Sequence, residues 1–363
     1  SGAGALTNTI QGTTTTVAIA DVTDGATGVA NLTVEAGTDA TVGAITLDNT
    51  GAGVVNLTAD FDSGSADATL TTNGVIDADG NVTLSGGADG DDNILVNANV
   101  TSRGALVVQN SDNVTLAGDV DLTGTSVTAT AAITGTQITL AGTGETQITA
   151  TATDVALADV TAAMASDLTV TAQDNVTLAA VTMNNGAGNL SVTAGNDNAG
   201  ASTLLAGGVI NVDGTASFSG GTDNDETLDF NANATSAGAM TLAQGNVDLA
   251  GGVILSGGSV TATNNVGGIL LSGPGAGTNQ ILGTAGDVLI GGPITDAPAS
   301  TQGLTITATG DVSITDVTVD SAGAGDVNVT AQGTELSSTG TILADGNVTL
   351  SGSDGTELLD IDG

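Results

Sequence analysis

Cysteine, histidine, tryptophan and tyrosine are absent from this chain of 363 residues, and a single basic residue, Arg103, stands against 40 Asp and Glu. Each gap removes a class of function. Without cysteine there is no disulfide framework, which fits a secreted prokaryotic protein that does not rely on such bonds. Without His, Cys, Tyr or Lys the common nucleophiles, bases and soft metal ligands are missing, and no enzyme activity is expected. Carboxylate pairs remain, but solenoid enzymes that cleave acidic polysaccharides need basic residues to hold the substrate. Arg103 alone reads as an incidental surface charge. A formal net charge of −39 excludes nucleic acid as a partner, because phosphate binding needs Lys and Arg. It also argues against anionic membrane surfaces. No apolar run reaches the length of a membrane-spanning helix, so no membrane insertion is expected.

Only 3 Pro and 3 Phe occur, against 55 Gly and a hydrophobic share of 40%. The core must therefore be built from Val, Leu, Ile and Ala, which fill a narrow lumen better than a wide globular interior. The acidity does not signal disorder, because disordered acidic chains lack the aliphatic residues that abound here. Like charges at this density favour an elongated shape, with cations as the natural counter-ligands.

The chain repeats at two scales. Leu32, Leu168 and Leu304 stand at equivalent positions in NLTVEAGTDATVGAITL, DLTVTAQDNVTLAAVTM and GLTITATGDVSITDVTV, 136 residues apart each time. A second block follows each copy, with Gly80, Gly214 and Gly346 equivalent, and the unit is about 134 residues. Three units result: 1–100, which is shortened, then 101–234 and 235–363. Inside them, strand-like phrases such as NLTV at Asn31, NLTA at Asn56 and NVTL at Asn81 recur every 25 residues. Such a period matches one turn of a β-solenoid. In each phrase apolar and small polar residues alternate, the sign of a strand with one buried face. The expected fold is all-β: a single continuous parallel β-solenoid of roughly 15 turns of 21–26 residues, about 70 Å long at the usual strand spacing, without significant helix.

The phrases GNVTL, DNVTLAGDVDL and GDVSITDV resemble the repeats of filamentous haemagglutinin and related secreted bacterial β-helix proteins. That resemblance implies export to the cell surface, a rigid shaft, and adhesive or matrix roles. The expected location is extracellular or on the cell surface of a prokaryote.

Loops GGADGDDN and GGTDNDET resemble one unit of the Gly/Asp-rich calcium repeat, and Asp89, Asp91, Asp92, Asp223, Asp225 and Glu226 are the candidate oxygen ligands. Calcium is the one cofactor these loops suggest. The plain alternative is a solvated acidic turn, and the third copy keeps only Asp354 and Glu357. Ten Asn-x-Thr/Ser tripeptides run from Asn31 to Asn347. They read as architecture, an Asn closing a turn before a strand, rather than as glycosylation sites. TQITATATD at Thr146–Asp154 resembles an ice-binding solenoid, but turns of unequal length predict broken Thr rows.

The two ends match in repeat phase. LLDIDG at the C-terminus aligns with LDFNAN, and SGAGALTNTIQG with TSAGAMTLAQG, so Gly363 falls opposite Ala232 and Ser1 opposite Thr235. Neither end carries a cap, and exposed sheet edges are adhesive. The expectation is a structural subunit that polymerises head to tail into a filament or surface layer, with Ser1, Ala5, Leu6, Leu358, Leu359 and Ile361 at the interface. Its alternative is a shaft fragment of a large adhesin, stabilised by calcium. The start without Met points to a processed product or a piece of a longer protein.

Overall fold

A computed structural model describes residues 6–25, 30–48, 51, 53–61, 67–87, 92–129, 137–197, 199–222, 225–263, 267–273, 277–298, 300–321, 325–352 and 358–361. The chain is all-β: 45 strands, numbered β1–β45 along the sequence, and no helix among the described residues. None of it is therefore a helix long and apolar enough to cross a membrane.

It divides into two compact units, Ser1–Gln173 and Asp174–Gly363. In the first, Leu6–Gly12 (β1), Val17–Ile19 (β2) and Val22–Thr23 (β3) each start a parallel sheet of seven strands. In the second, Val176–Leu178 (β22), Val181–Met183 (β23) and Leu190–Thr193 (β24) each start one of eight. Within each unit every strand but the last three pairs with the third strand after it, so three consecutive strands make one turn of a β-solenoid, seven turns in one unit and eight in the other.

The pattern of the sequence produces this directly. In Val-Thr-Leu phrases the first and third side chains point inward and the second outward, as at Val82–Ser85 (β10), where Val82 and Leu84 are fully buried. Inward positions form aliphatic columns, for example Val55–Val82–Leu106–Val127–Val155 through the first unit. Phe218 and Phe230 are the largest side chains in the lumen and meet edge to face with ring centroids 5.1 Å apart.

The long repeat and the solenoid turn do not share a period. Ala30–Ala36 (β4) and Asp167–Ala172 (β21) carry equivalent sequence and lie 17 strands apart. So do Ile210–Val212 (β26) and Ile342–Ala344 (β43). Since a turn is three strands, each copy advances five turns and two strands. Accordingly β4 lies in the sheet of β1 and β21 in that of β3; β26 lies in the sheet of β23 and β43 in that of β22. Each unit by itself shows equivalent sequence moving from one sheet to another.

Candidate functional site

The candidate calcium loops sit at corners, between β10 and Asn93–Val96 (β11) in one copy and between Ala216–Ser219 (β27) and Thr227–Phe230 (β28) in the next. Asp89, Asp91 and Asp223 lie outside the described residues, as do Asp354 and Glu357 of the third copy. Asp225 is exposed, whereas Asp92 and Glu226 are fully buried. Asp92 turns inward as a backbone cap. Its Oδ1 accepts the Ala68 N–H at 3.0 Å, and its Oδ2 accepts the N–H of Gly87. A buried carboxylate is tolerated when amide donors face it. Among the described residues no group of three or more acidic side chains is placed to hold a metal ion.

The Asn-x-Thr tripeptides have a structural use that spacing alone did not disclose. Asn31, Asn81, Asn99, Asn175, Asn189 and Asn233 each accept, through Oδ1, a backbone N–H from the rung that follows, at 2.9–3.0 Å. Asp21, Asp287, Asp311, Asp316 and Asp326 do the same for Ala44, Asp311, Thr334, Thr341 and Asn347 at 2.6–2.9 Å. Corners interrupt the ladder, and these side chains satisfy the amides that the interruption leaves over. Often a glycine of the next rung makes room. A Cβ would lie 2.8 Å from Asp21 Oδ1 at Gly43 and 2.6 Å from Asn189 Oδ1 at Gly214, and one at Gly104 would strike Asn81 Oδ1. Stacked amide pairs also occur, Asn97 on Asn73 and Asn113 on Asn93. The rung-to-rung side-chain cap is nonetheless the commoner device.

Arg103 is not an isolated charge. Its Nη1 donates to Asp77 Oδ1 at 3.0 Å and to Asp79 Oδ1 at 2.8 Å. In the second copy Ala237 replaces the arginine, and Asn211 replaces the first of the two aspartates. The cation is lost together with one of its charges.

The outward Thr row of the first unit is broken at Asp77, yet it keeps its register although the turns are unequal. Thr23, Thr46, Asp77, Thr101, Thr123, Thr149 and Thr171 are register partners in one sheet of the first unit. Length differences are absorbed in the corners, which leaves the sheet register intact.

One outward row carries opposed like charges. Asp229 and Asp248, the latter in Asn246–Leu249 (β31), are register partners, flanked along the row by Leu205 and Leu270. Desolvation by these surroundings, then repulsion from Asp248, raises the Asp229 pKa above the ordinary 3.8, against a hydrogen bond from Asn231. The folded chain thus takes up this proton at higher pH than the unfolded chain. The pair's contribution to stability is fully present below the ordinary carboxylate pKa and is lost as pH rises through the raised value. Asp248→Asn should therefore stabilise the protein at pH 7 by about 0.5 kcal/mol and lessen the loss of stability as pH rises above the ordinary carboxylate range. Thermal melts of both proteins from acid to neutral pH check it, and equal midpoints at pH 7 would refute the repulsion.

No family model, no curated protein and no solved structure matches this chain.

Proposed function

We propose that this chain is a non-catalytic structural element of an extracellular filament or surface layer, elongated by the stacking of further solenoid turns on its own. One observation carries the reading. The inward columns continue in one register from rung to rung, as in Val55–Val82–Leu106–Val127–Val155, so each rung is a template for the next. A further turn of the same pattern would extend these columns by the same parallel pairing. A chain without Lys, His or Cys, and with 3 aromatic residues of which Phe218 and Phe230 are buried in the lumen, supports a structural role over catalysis or adhesive recognition.

Ser1 and Ala5 of the expected interface lie outside the described residues, and Leu6 opens β1. Negative-stain electron microscopy of the purified chain at physiological salt tests the reading. Long fibres of solenoid width are expected. Dispersed single rods at high protein concentration would remove it.

A further inference from the structure

Two amide side chains are buried in the second unit. Asn279 and Gln302 are each 0% exposed, and among the described residues they are the only buried Asn and Gln. Asn279 is the second residue of Thr278–Gly283 (β35), and Gln302 immediately precedes Gly303–Ala308 (β38), the next strand of the same sheet. Asn279 Oδ1 accepts the N–H of Val253, just ahead of Ile254–Gly257 (β32), at 2.8 Å. Its Nδ2 donates to Gln302 Oε1, and Gln302 Nε2 donates to the Gly273 carbonyl. The Gln302 N–H is taken by Ser300 Oγ at 3.3 Å. Gly273 leaves room for the relay, since a Cβ there would lie 2.7 Å from Gln302 Nε2. Three consecutive rungs are thus tied at the corners before β32, β35 and β38.

The relay sits where register is otherwise least specified. With six residues each, β35 and β38 are the longest strands of the second unit. Asn279, Ile281 and Gly283 face Leu304, Ile306 and Ala308 along the inward column. The side-chain period is two, so a slip of two residues keeps every inward side chain inward. Aliphatic contact is non-directional and separates such registers weakly. The corners do not forbid the slip, because they absorb differences in length. The amides do. Moving β38 by two residues along β35 parts Gln302 from Asn279 and leaves buried donors and acceptors without partners.

The preceding copy carries smaller polar residues at these places. Thr146 lies opposite Leu168 as Asn279 lies opposite Leu304, and Ser166 Oγ donates to the Gly142 carbonyl as Gln302 Nε2 does to Gly273. Both Thr146 and Ser166 are buried. In the third copy a pair of amides bonded to each other takes the place of two hydroxyls.

We propose that Asn279 and Gln302 form a register key, a buried polar pair that admits one alignment of β35 on β38 and excludes the alignments two residues to either side. The key does not depend on the stacking of further turns.

The absence of native cysteine lets the register be read directly. Opposed residues on adjacent strands lie about 4.8 Å apart, within disulfide range, and residues displaced by two lie about 8 Å apart, beyond it. The outward pair Gln280→Cys/Thr305→Cys reports the native register. The pairs Gln280→Cys/Thr307→Cys and Leu282→Cys/Thr305→Cys report the two slips. Each pair is placed in the otherwise unchanged chain and in Asn279→Thr/Gln302→Ser, which takes the residues of the preceding copy. The proteins are refolded from denaturant and oxidised, and the disulfide yield is read by peptide mass spectrometry. In the unchanged chain only the native pair should close. With the amides replaced, the slipped pairs should close at least about 10-fold more often, the weight of one buried polar group left without a partner. A second replacement, Asn279→Leu/Gln302→Met, keeps the volume and should slip likewise. Closure of the native pair alone in both replacements overturns the proposal, as does equal closure of native and slipped pairs in the unchanged chain. Loss of the far-ultraviolet β signal in both replacements would mean that the pair holds the fold instead of choosing its register, and overturns it as well.

Discussion

Phe218→Ala is expected to destabilise the second unit by about 4 kcal/mol. The lumen is lined almost entirely by aliphatic side chains, and the two aromatic rings of Phe218 and Phe230 pack against each other within it. Removing one ring leaves a cavity that a parallel-stranded wall cannot close, since each strand is held by hydrogen bonds to the rungs on both sides. The edge-to-face pair is lost as well, a further ~1 kcal/mol. Phe218→Leu should cost much less, because an aliphatic side chain of similar volume refills the space. The chain has no Trp or Tyr, so denaturant melts should be followed by far-ultraviolet circular dichroism. A loss below about 1 kcal/mol for Phe218→Ala would mean that the rings are not packed as described.

The second large effect separates two adjacent glycines. A Cβ on Gly208 would lie 2.5 Å from the Ala180 nitrogen, 2.7 Å from the Ala179 carbonyl carbon and 2.9 Å from the Ala180 Cα. All three atoms belong to the backbone of the preceding rung, which cannot rotate aside. Gly208→Ala must push two rungs apart and stretch the 2.9 Å bond from the Val181 N–H to the Val209 carbonyl. The expected loss is about 3 kcal/mol. At Gly207 the nearest atom to an added Cβ is the Leu178 carbonyl oxygen at 3.5 Å, an ordinary contact. Gly207→Ala should therefore be neutral or stabilise by up to about 1 kcal/mol, through the unfolded chain. Equal midpoints for the two variants in the same melt would contradict this rung spacing.

Much of the fold was legible because one period-2 rule governs nearly every strand. Val-Thr-Leu tells which residue faces the lumen whether it sits at Val82, Val176 or Val348. The turn length followed from the spacing of these phrases. The corners were harder to read. Asn81 and Asn189 looked like turn closers, but their actual acceptor role depends on a backbone amide some 25 residues later, in register with them only once the rung has closed. The acidic loops showed the same limit. Asp92 and Asp225 are both loop aspartates, yet Asp92 is turned inward onto the amides of Ala68 and Gly87 while Asp225 is exposed, a difference set by the corner and not by composition. The Thr row of the first unit is broken at Asp77, as expected, but unequal turns did not shift its register. The strands hold register independently of the loops between them.

The 17-strand step of the long repeat has a consequence for growth by duplication. Seventeen is not a multiple of three, so inserting one more copy inside either unit would lengthen it and also index every later strand onto a neighbouring face. Any feature carried once per copy is thereby dealt to the three faces in rotation. Length and azimuth are geared together, as in a screw thread, and an array of such copies would present its landmarks along a spiral instead of a single line.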